Sequence, residues 1–129
     1  MSLVLRGRVI HSGEASGRAI VSPEPISFFG GLDADSGCIS EKGHPLEGQS
    51  IAGRVLVFPR GKGSTVGSYV IYRLARRGTA PVAMLLADCE PIVALGAIMA
   101  DIPTLDRLDI ARIGTGDLVS IIGDEVTVG

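Results

Sequence analysis

A strand-rich α/β chain with two main helices, stacked in β/β/α layers, is what three features of these 129 residues predict. Eighteen glycines, seven prolines and only 4% aromatic residues require many turns and short strands, while 46% hydrophobic residues are enough for one core. The runs 55–58 and 80–86 are apolar without alternation, as strands covered on both faces are. Each run is followed by a stretch of helical spacing, which gives the order strand, helix, strand, helix.

Taken in order, residues 3–10 alternate enough to be one strand, closed by His11-Ser12-Gly13, and residues 18–21 form a second before Pro23 and Pro25. These two are expected to pair as a hairpin-like unit. Residues 27–37 read as a glycine-punctuated loop, Cys38-Ile39 as a short strand, and 43–53 as an irregular crossing to the buried strand at 54–58, which Pro59 stops. The first helix is expected to bury Val66, Tyr69, Val70 and Leu74, with Arg73, Arg76 and Arg77 largely on the other side and Gly78 as its stop. After the strand at 80–86, a second helix spans 91–100 with proline in its first turn. Ile102-Pro103-Thr104 supplies a brief strand, and 117–122 with 126–128 form a hairpin about Gly123-Asp124. No internal repeat, linker or low-complexity segment divides residues 1–129, so one domain is expected.

Charge and hydropathy exclude several classes of function. Twelve Lys and Arg against fourteen Asp and Glu leave a net charge of -2, without the basic face that nucleic acid demands. The cluster Arg73, Arg76, Arg77 reads as a solvated helix face. Mean hydropathy is +0.39, yet no uncharged apolar stretch of 18 residues occurs, and residues 1–10 hold no signal-type run. No membrane association and a cytoplasmic location are therefore expected. Cys38 and Cys89 lack CxxC or Cys/His ligand spacing, so both are expected to be reduced, and two thiols are too few for a 4Fe-4S cluster.

The stretch Gly61-Lys62-Gly63-Ser64-Thr65 carries the functional signal, because it delivers a hydroxyl to a helix N-terminus. Gly61 and Gly63 allow positive φ and let a ligand approach the backbone, and free N–H groups there favour negative charge. The structural alternative is that Ser64 or Thr65 is simply the N-cap. A Walker A loop is excluded, since Gly63 separates Lys62 from Ser64 and Leu56 stands where its first glycine belongs; the dinucleotide fingerprint fails at Val66. Lys62 either attracts an anionic substrate or is a solvated lysine.

Phe28-Phe29-Gly30-Gly31-Leu32-Asp33 has the composition of a loop that closes over something small, which makes Gly30, Gly31 and Asp33 candidates to face substrate or an interface. The alternative is a turn in which the aspartate bonds its own backbone. His11 and His44 have no partner at metal spacing and read as structural or surface residues. Asp88 and Glu90 lie where they would cap the second helix.

The same stretches, together with Gly37, His44-Pro45-Leu46, Gly48, Val57-Phe58-Pro59-Arg60, Glu90-Pro91-Ile92, Gly96-Ala97-Ile98 and Ile102-Pro103, resemble the swivelling domain of the aconitase superfamily, and in particular the small subunit of the aconitase X type dehydratases. The likeness runs over nearly the whole chain. Where aconitase has an arginine for a substrate carboxylate after its serine pair, this chain has Val66, as the aconitase X group does, which argues against a tricarboxylate substrate.

That resemblance implies the swivelling fold, a hydro-lyase activity and Ser64 as catalytic base, with Gly61, Lys62, Gly63 and Thr65 around the substrate. It implies a large aconitase-like subunit that holds a 4Fe-4S cluster, none being bound by this chain alone. The implied substrate is a small phosphorylated hydroxy acid, (R)-5-phosphomevalonate, on the archaeal route to isoprenoids. The alternatives are the small subunit of a hydroxyproline dehydratase of the same group, or a non-catalytic swivelling or binding module. A phosphohistidine carrier is disfavoured because the loop holds Ser64 and no histidine.

Overall fold

The computed structural model describes residues 2–129. Its strands are β1 (Leu3–Arg6), β2 (Arg8–His11), β3 (Glu14–Val21), β4 (Ile26–Ser27), β5 (Leu32–Asp33), β6 (Cys38–Ile39), β7 (Val55–Phe58), β8 (Gly61–Lys62), β9 (Ala83–Leu86), β10 (Thr104–Asp106), β11 (Leu118–Ile122) and β12 (Glu125–Val128). Helix α1 (Gly67–Arg77) lies between β8 and β9, and α2 (Pro91–Ala100) between β9 and β10.

Eight strands form one mixed sheet in the order β1-β12-β11-β3-β7-β9-β10-β2. Its two edges, β1 and β2, are joined through Gly7, so the sheet is nearly closed on itself. A side chain is excluded at that junction, where a Cβ would stand 2.7 Å from the Asp106 carbonyl oxygen. The expected single strand at 3–10 and its hairpin with 18–21 are thereby corrected. β1 pairs antiparallel with β12, β2 with β10, and β3 with β11, so the N-terminal segment crosses from one half of the sheet to the other.

Alternation along the buried strands builds the layers. Val55 and Val57, with Ala83, Leu85, Val119, Ile121 and Val126, fill the space between the two halves of the sheet. Leu56 and Phe58, with Met84, Leu86, Ile71, Leu74, Val93 and Ala97, fill the space under the helices. A strand buried on both faces shows no polar period, which is why 55–58 and 83–86 read as continuous apolar runs.

α2 spans the expected residues, and the β11–β12 hairpin stands where its pattern places it. Thr104–Asp106, two residues later than expected, is the strand that follows α2. In α1 the buried residues are Gly67, Ser68, Ile71 and Leu74, while Val66 and Tyr69 are 43% and 64% exposed, which corrects the expected core face. The cause is close helix-to-helix packing through small residues. A Cβ at Gly96 of α2 would meet Ile71 Cδ1 at 2.6 Å, and Ser68 Oγ donates to the Ile92 carbonyl at 2.6 Å, so α1 turns its small-residue face to its neighbour.

Strands β3, β7, β9 and β10 run parallel, so their carboxyl ends share one edge. There backbone bonds tie the exits together, from Ser22 N–H to the Val57 carbonyl, Asp88 N–H to Pro59, and Arg107 N–H to Ala87. The loop before α1 and the N-terminus of α2 both leave from this edge, which is where open parallel sheets place their ligands.

Candidate active site

The loop at 61–65 is built by close approach. β8 pairs in parallel with β4, Ile26 opposite Gly61 and Ser27 opposite Lys62, which lays the loop beside the 28–33 segment. Gly61 is buried, and a Cβ there would lie 2.5 Å from Glu90 Oε1 and 2.6 Å from Val93 Cγ2. Gly63 has φ +93°, and its Cβ would meet Ser27 Oγ at 2.8 Å. Only Gly63 takes the positive φ expected of both glycines; Gly61 does not, and is held instead by its close approach to Glu90 and Val93.

Ser64 and Thr65 are exposed, and neither is the N-cap of α1. Val66 holds that position in helical geometry with no side-chain cap. Ser64 Oγ instead accepts the Val66 N–H at 3.1 Å, and its carbonyl accepts the Gly67 N–H at 3.0 Å. The hydroxyl thus faces solvent while touching one of the donors at the start of a helix, a setting that stabilises developing negative charge on oxygen.

Lys62 Nζ is 3.0 Å from Glu41 Oε2, so its charge is partnered across the loop at 40–48. Glu41 escaped the sequence reading, since nothing in its surroundings marks a residue 21 positions away as a partner. The 28–33 segment divides at its two aromatics, with Phe28 buried edge-on against Phe58 at 5.9 Å and Phe29 52% exposed. Gly30 sits at φ +88° in open space, while Gly31 is buried against the Ser27 carbonyl. Asp33 accepts from Ser36 Oγ and from the Asp35 N–H, which holds its carboxyl below the usual range. Asp33 therefore makes the local turn, and together with Phe28, Phe29, Gly30, Val70 and Arg73 it lines a shallow cavity of about 250 Å³ beside α1. A larger cavity, about 450 Å³, lies at the other end of the helices between Glu14, Pro81 and Ala100, away from Ser64.

Support comes from behind. Glu90 caps α2, accepting from the Ile92 and Val93 N–H groups. The fully buried Asp106, absent from the sequence reading, binds Arg8 through two bonds and the Cys89 N–H at 2.8 Å. Burial pushes the Asp106 carboxyl up, but these bonds outweigh it and hold it below the usual carboxylate range. A separation of 98 positions between Arg8 and Asp106 left the pair invisible to any local pattern. His44 is a buried strut, donating through Nε2 to the Pro25 carbonyl and accepting at Nδ1 from the Leu46 N–H.

Among the described residues no three of His, Cys, Asp and Glu gather as a metal site. Cys38 and Cys89 are both free, and burial pushes the Cys89 thiol up to about 12, which makes it a poor thiolate donor. This donor set does not fit an iron–sulfur cluster. Nor is any helix among the described residues long and apolar enough to cross a membrane.

A β/β/α domain that presents a serine on a glycine loop at a helix N-terminus is the arrangement that the resemblance to aconitase swivelling domains implied. Residues 4–129 match the Aconitase X swivel domain, and the chain belongs to that family. It is 50% identical over 121 residues to the phosphomevalonate dehydratase small subunit of Thermococcus gammatolerans, covering 94% of this chain and 92% of that protein. The subunit of the same name from Methanocella arvoryzae is 51% identical over 122 residues, with 92% of each chain covered. The crystal structure of Thermococcus kodakaraensis aconitase X in its holo-form superposes with a TM-score of 0.96 at 47% identity over 98% of both chains. A solution NMR structure of a UPF0107 protein gives 0.87 at 42% identity over 96% of this chain and 97% of that one.

Proposed function

We propose that this chain is the small subunit of a hydro-lyase that dehydrates (R)-5-phosphomevalonate to trans-anhydromevalonate 5-phosphate, and that Ser64 is the base. The observation that carries this reading is the exposed Ser64 hydroxyl held against the Val66 N–H at the open start of α1. Relatives at about half identity over more than nine-tenths of this chain, named as that subunit, support the substrate.

Serine is a base only as its alkoxide, which the Val66 N–H and the helix N-terminus stabilise. The alkoxide removes the proton from the carbon next to the substrate carboxylate; that electron pair forms the new double bond as the hydroxyl on the neighbouring carbon departs as hydroxide, for which the partner subunit's cluster would supply a Lewis acid. The exposed backbone at Gly63 and Thr65, with Gly30 and Asp33, is assigned to the substrate side, while the buried Gly61 and Gly31 shape the two loops from behind. Lys62 binds the anionic substrate only by exchanging its bond to Glu41. Val66, 43% exposed beside the hydroxyl, offers no cation for a further carboxylate. The kinship with aconitase X and the small-subunit names of the relatives support assigning a 4Fe-4S cluster to a large aconitase-like subunit, with Ser64 presented across the interface.

The test is reconstitution. The isolated chain is expected to be inactive and to gain dehydratase activity on 5-phosphomevalonate, but not on citrate or hydroxyproline, when a large subunit is added. Stoichiometric iron and sulfide in the chain alone, or preferred turnover of citrate or hydroxyproline, would overturn the reading.

A further inference from the structure

Gly61 lies against a carboxylate that has another occupation. Glu90 uses both oxygens on the first turn of α2, Oε2 taking the Ile92 N–H at 3.0 Å and Oε1 the Val93 N–H at 3.3 Å. Oε1 is also the atom that a Cβ at Gly61 would approach to 2.5 Å, with Val93 Cγ2 at 2.6 Å on the same side. The Glu90 side chain is thus a wall behind the serine loop as well as a cap. Two ties hold the wall in place. Cys89, the preceding residue, is anchored by its N–H to the buried Asp106 carboxylate, and the Ile92 carbonyl takes the Ser68 hydroxyl of α1. The loop is caught between these parts, its start set by Glu90 and its end leading into α1.

The geometry points to Glu90 as a positioning residue for Ser64: its full-length side chain sets where Gly61 lies and hence where the hydroxyl three residues on is presented. This rests on the reading of Ser64 as base. Asp106 and Ser68 keep the start of α2 and the start of α1 in one rigid body, so a shortening of the side chain at 90 opens a gap that the loop fills by moving.

Glu90→Asp separates the two occupations. Aspartate is at least as good an N-cap, so α2 keeps its cap and the chain its thermal midpoint. The wall, however, retreats by one methylene. In the complex with its large subunit, kcat for 5-phosphomevalonate is expected to fall roughly 10- to 100-fold with KM little changed, the signature of a misplaced reacting group. In the isolated chain, amide exchange at Val66, whose N–H rests on Ser64 Oγ, is expected to speed up. Gly61→Ala, which pushes the loop from the other side, is expected to produce the same pair of changes.

Wild-type kcat and unaltered Val66 exchange in Glu90→Asp would reduce Glu90 to a cap and overturn the proposal. Faster Val66 exchange with full turnover would keep Glu90 as the loop's support and remove Ser64 from the chemistry, so the two readings fail separately.

Discussion

The two helices begin on the same edge of the sheet, yet their N-termini are finished in opposite ways. α2 is closed, with Pro91 in its first turn and the Glu90 carboxylate satisfying two N–H groups. α1 is open, with Val66 in the cap position and no side-chain cap, and only the Ser64 hydroxyl and carbonyl meeting its first donors. A capped end is committed to stability. An end whose donors lie at the surface beside a hydroxyl is available to a charged oxygen. The glycines show that the two depend on each other, because the closed end is packed so tightly on the open one that a Cβ at Gly61 would force Glu90, Val93 or the loop to shift.

The strongest way to break the contrast is Ser64→Ala. Removing a general base is expected to cost about 10²- to 10⁴-fold in turnover, while stability falls by no more than about 1 kcal/mol for the lost bond from the Val66 N–H to Ser64 Oγ. Thr65→Ala, assayed beside it, should keep most of the activity. A destabilised but active Ser64→Ala enzyme would assign this hydroxyl to structure.

Next in size is Asp106→Asn, which weakens the anchor of the closed end. Removing a partner from a buried pair costs about 3–5 kcal/mol; with Arg8 half exposed, about 2–3 kcal/mol is expected in denaturant titrations. The pH dependence has a definite sign. The folded carboxyl lies below its unfolded value of about 3.9, so its contribution is complete above that value and is lost as pH falls through the folded one. Thermal midpoints of wild type and Asp106→Asn should therefore differ at neutral pH and converge below about pH 4.

Glu90→Ala, unlike the aspartate variant, removes the cap itself and is expected to lower stability by about 1 kcal/mol in the same titration, besides freeing the loop. Smallest is Glu41→Gln, which breaks an exposed ion pair and should change stability by less than about 1 kcal/mol. Its informative readout is KM for 5-phosphomevalonate, expected to fall because Lys62 no longer has to leave a partner. An unchanged KM would place Lys62 away from the substrate.

Much of the candidate site was legible because its signals are local. Gly-x-Gly-Ser-Thr between a buried strand and a helix states where the backbone must bend and where donors are free, and both are properties of adjacent residues. Glu90-Pro91 marked the start of α2 for the same reason. The error over Val66 and Tyr69 is instructive, since helical spacing alone left the direction of burial undecided. Gly67, Ser68 and Gly96 settled it by admitting the second helix at close range.

The sequence by itself determined the elements that depend on neighbours along the chain: the apolar runs of β7 and β9, the bounds of α2, the closing hairpin and the serine loop. Tertiary structure alone decided what meets across distance. It split the first strand at Gly7 and sent its halves to β12 and β10, about a hundred residues away in the chain. It also laid Ser27 against Gly63, paired Arg8 with Asp106, and set Glu90 behind Gly61. Local propensity is written in backbone sterics and the period of burial, whereas these contacts exist only once the sheet has nearly closed and brought the carboxyl ends of its parallel strands to a common edge.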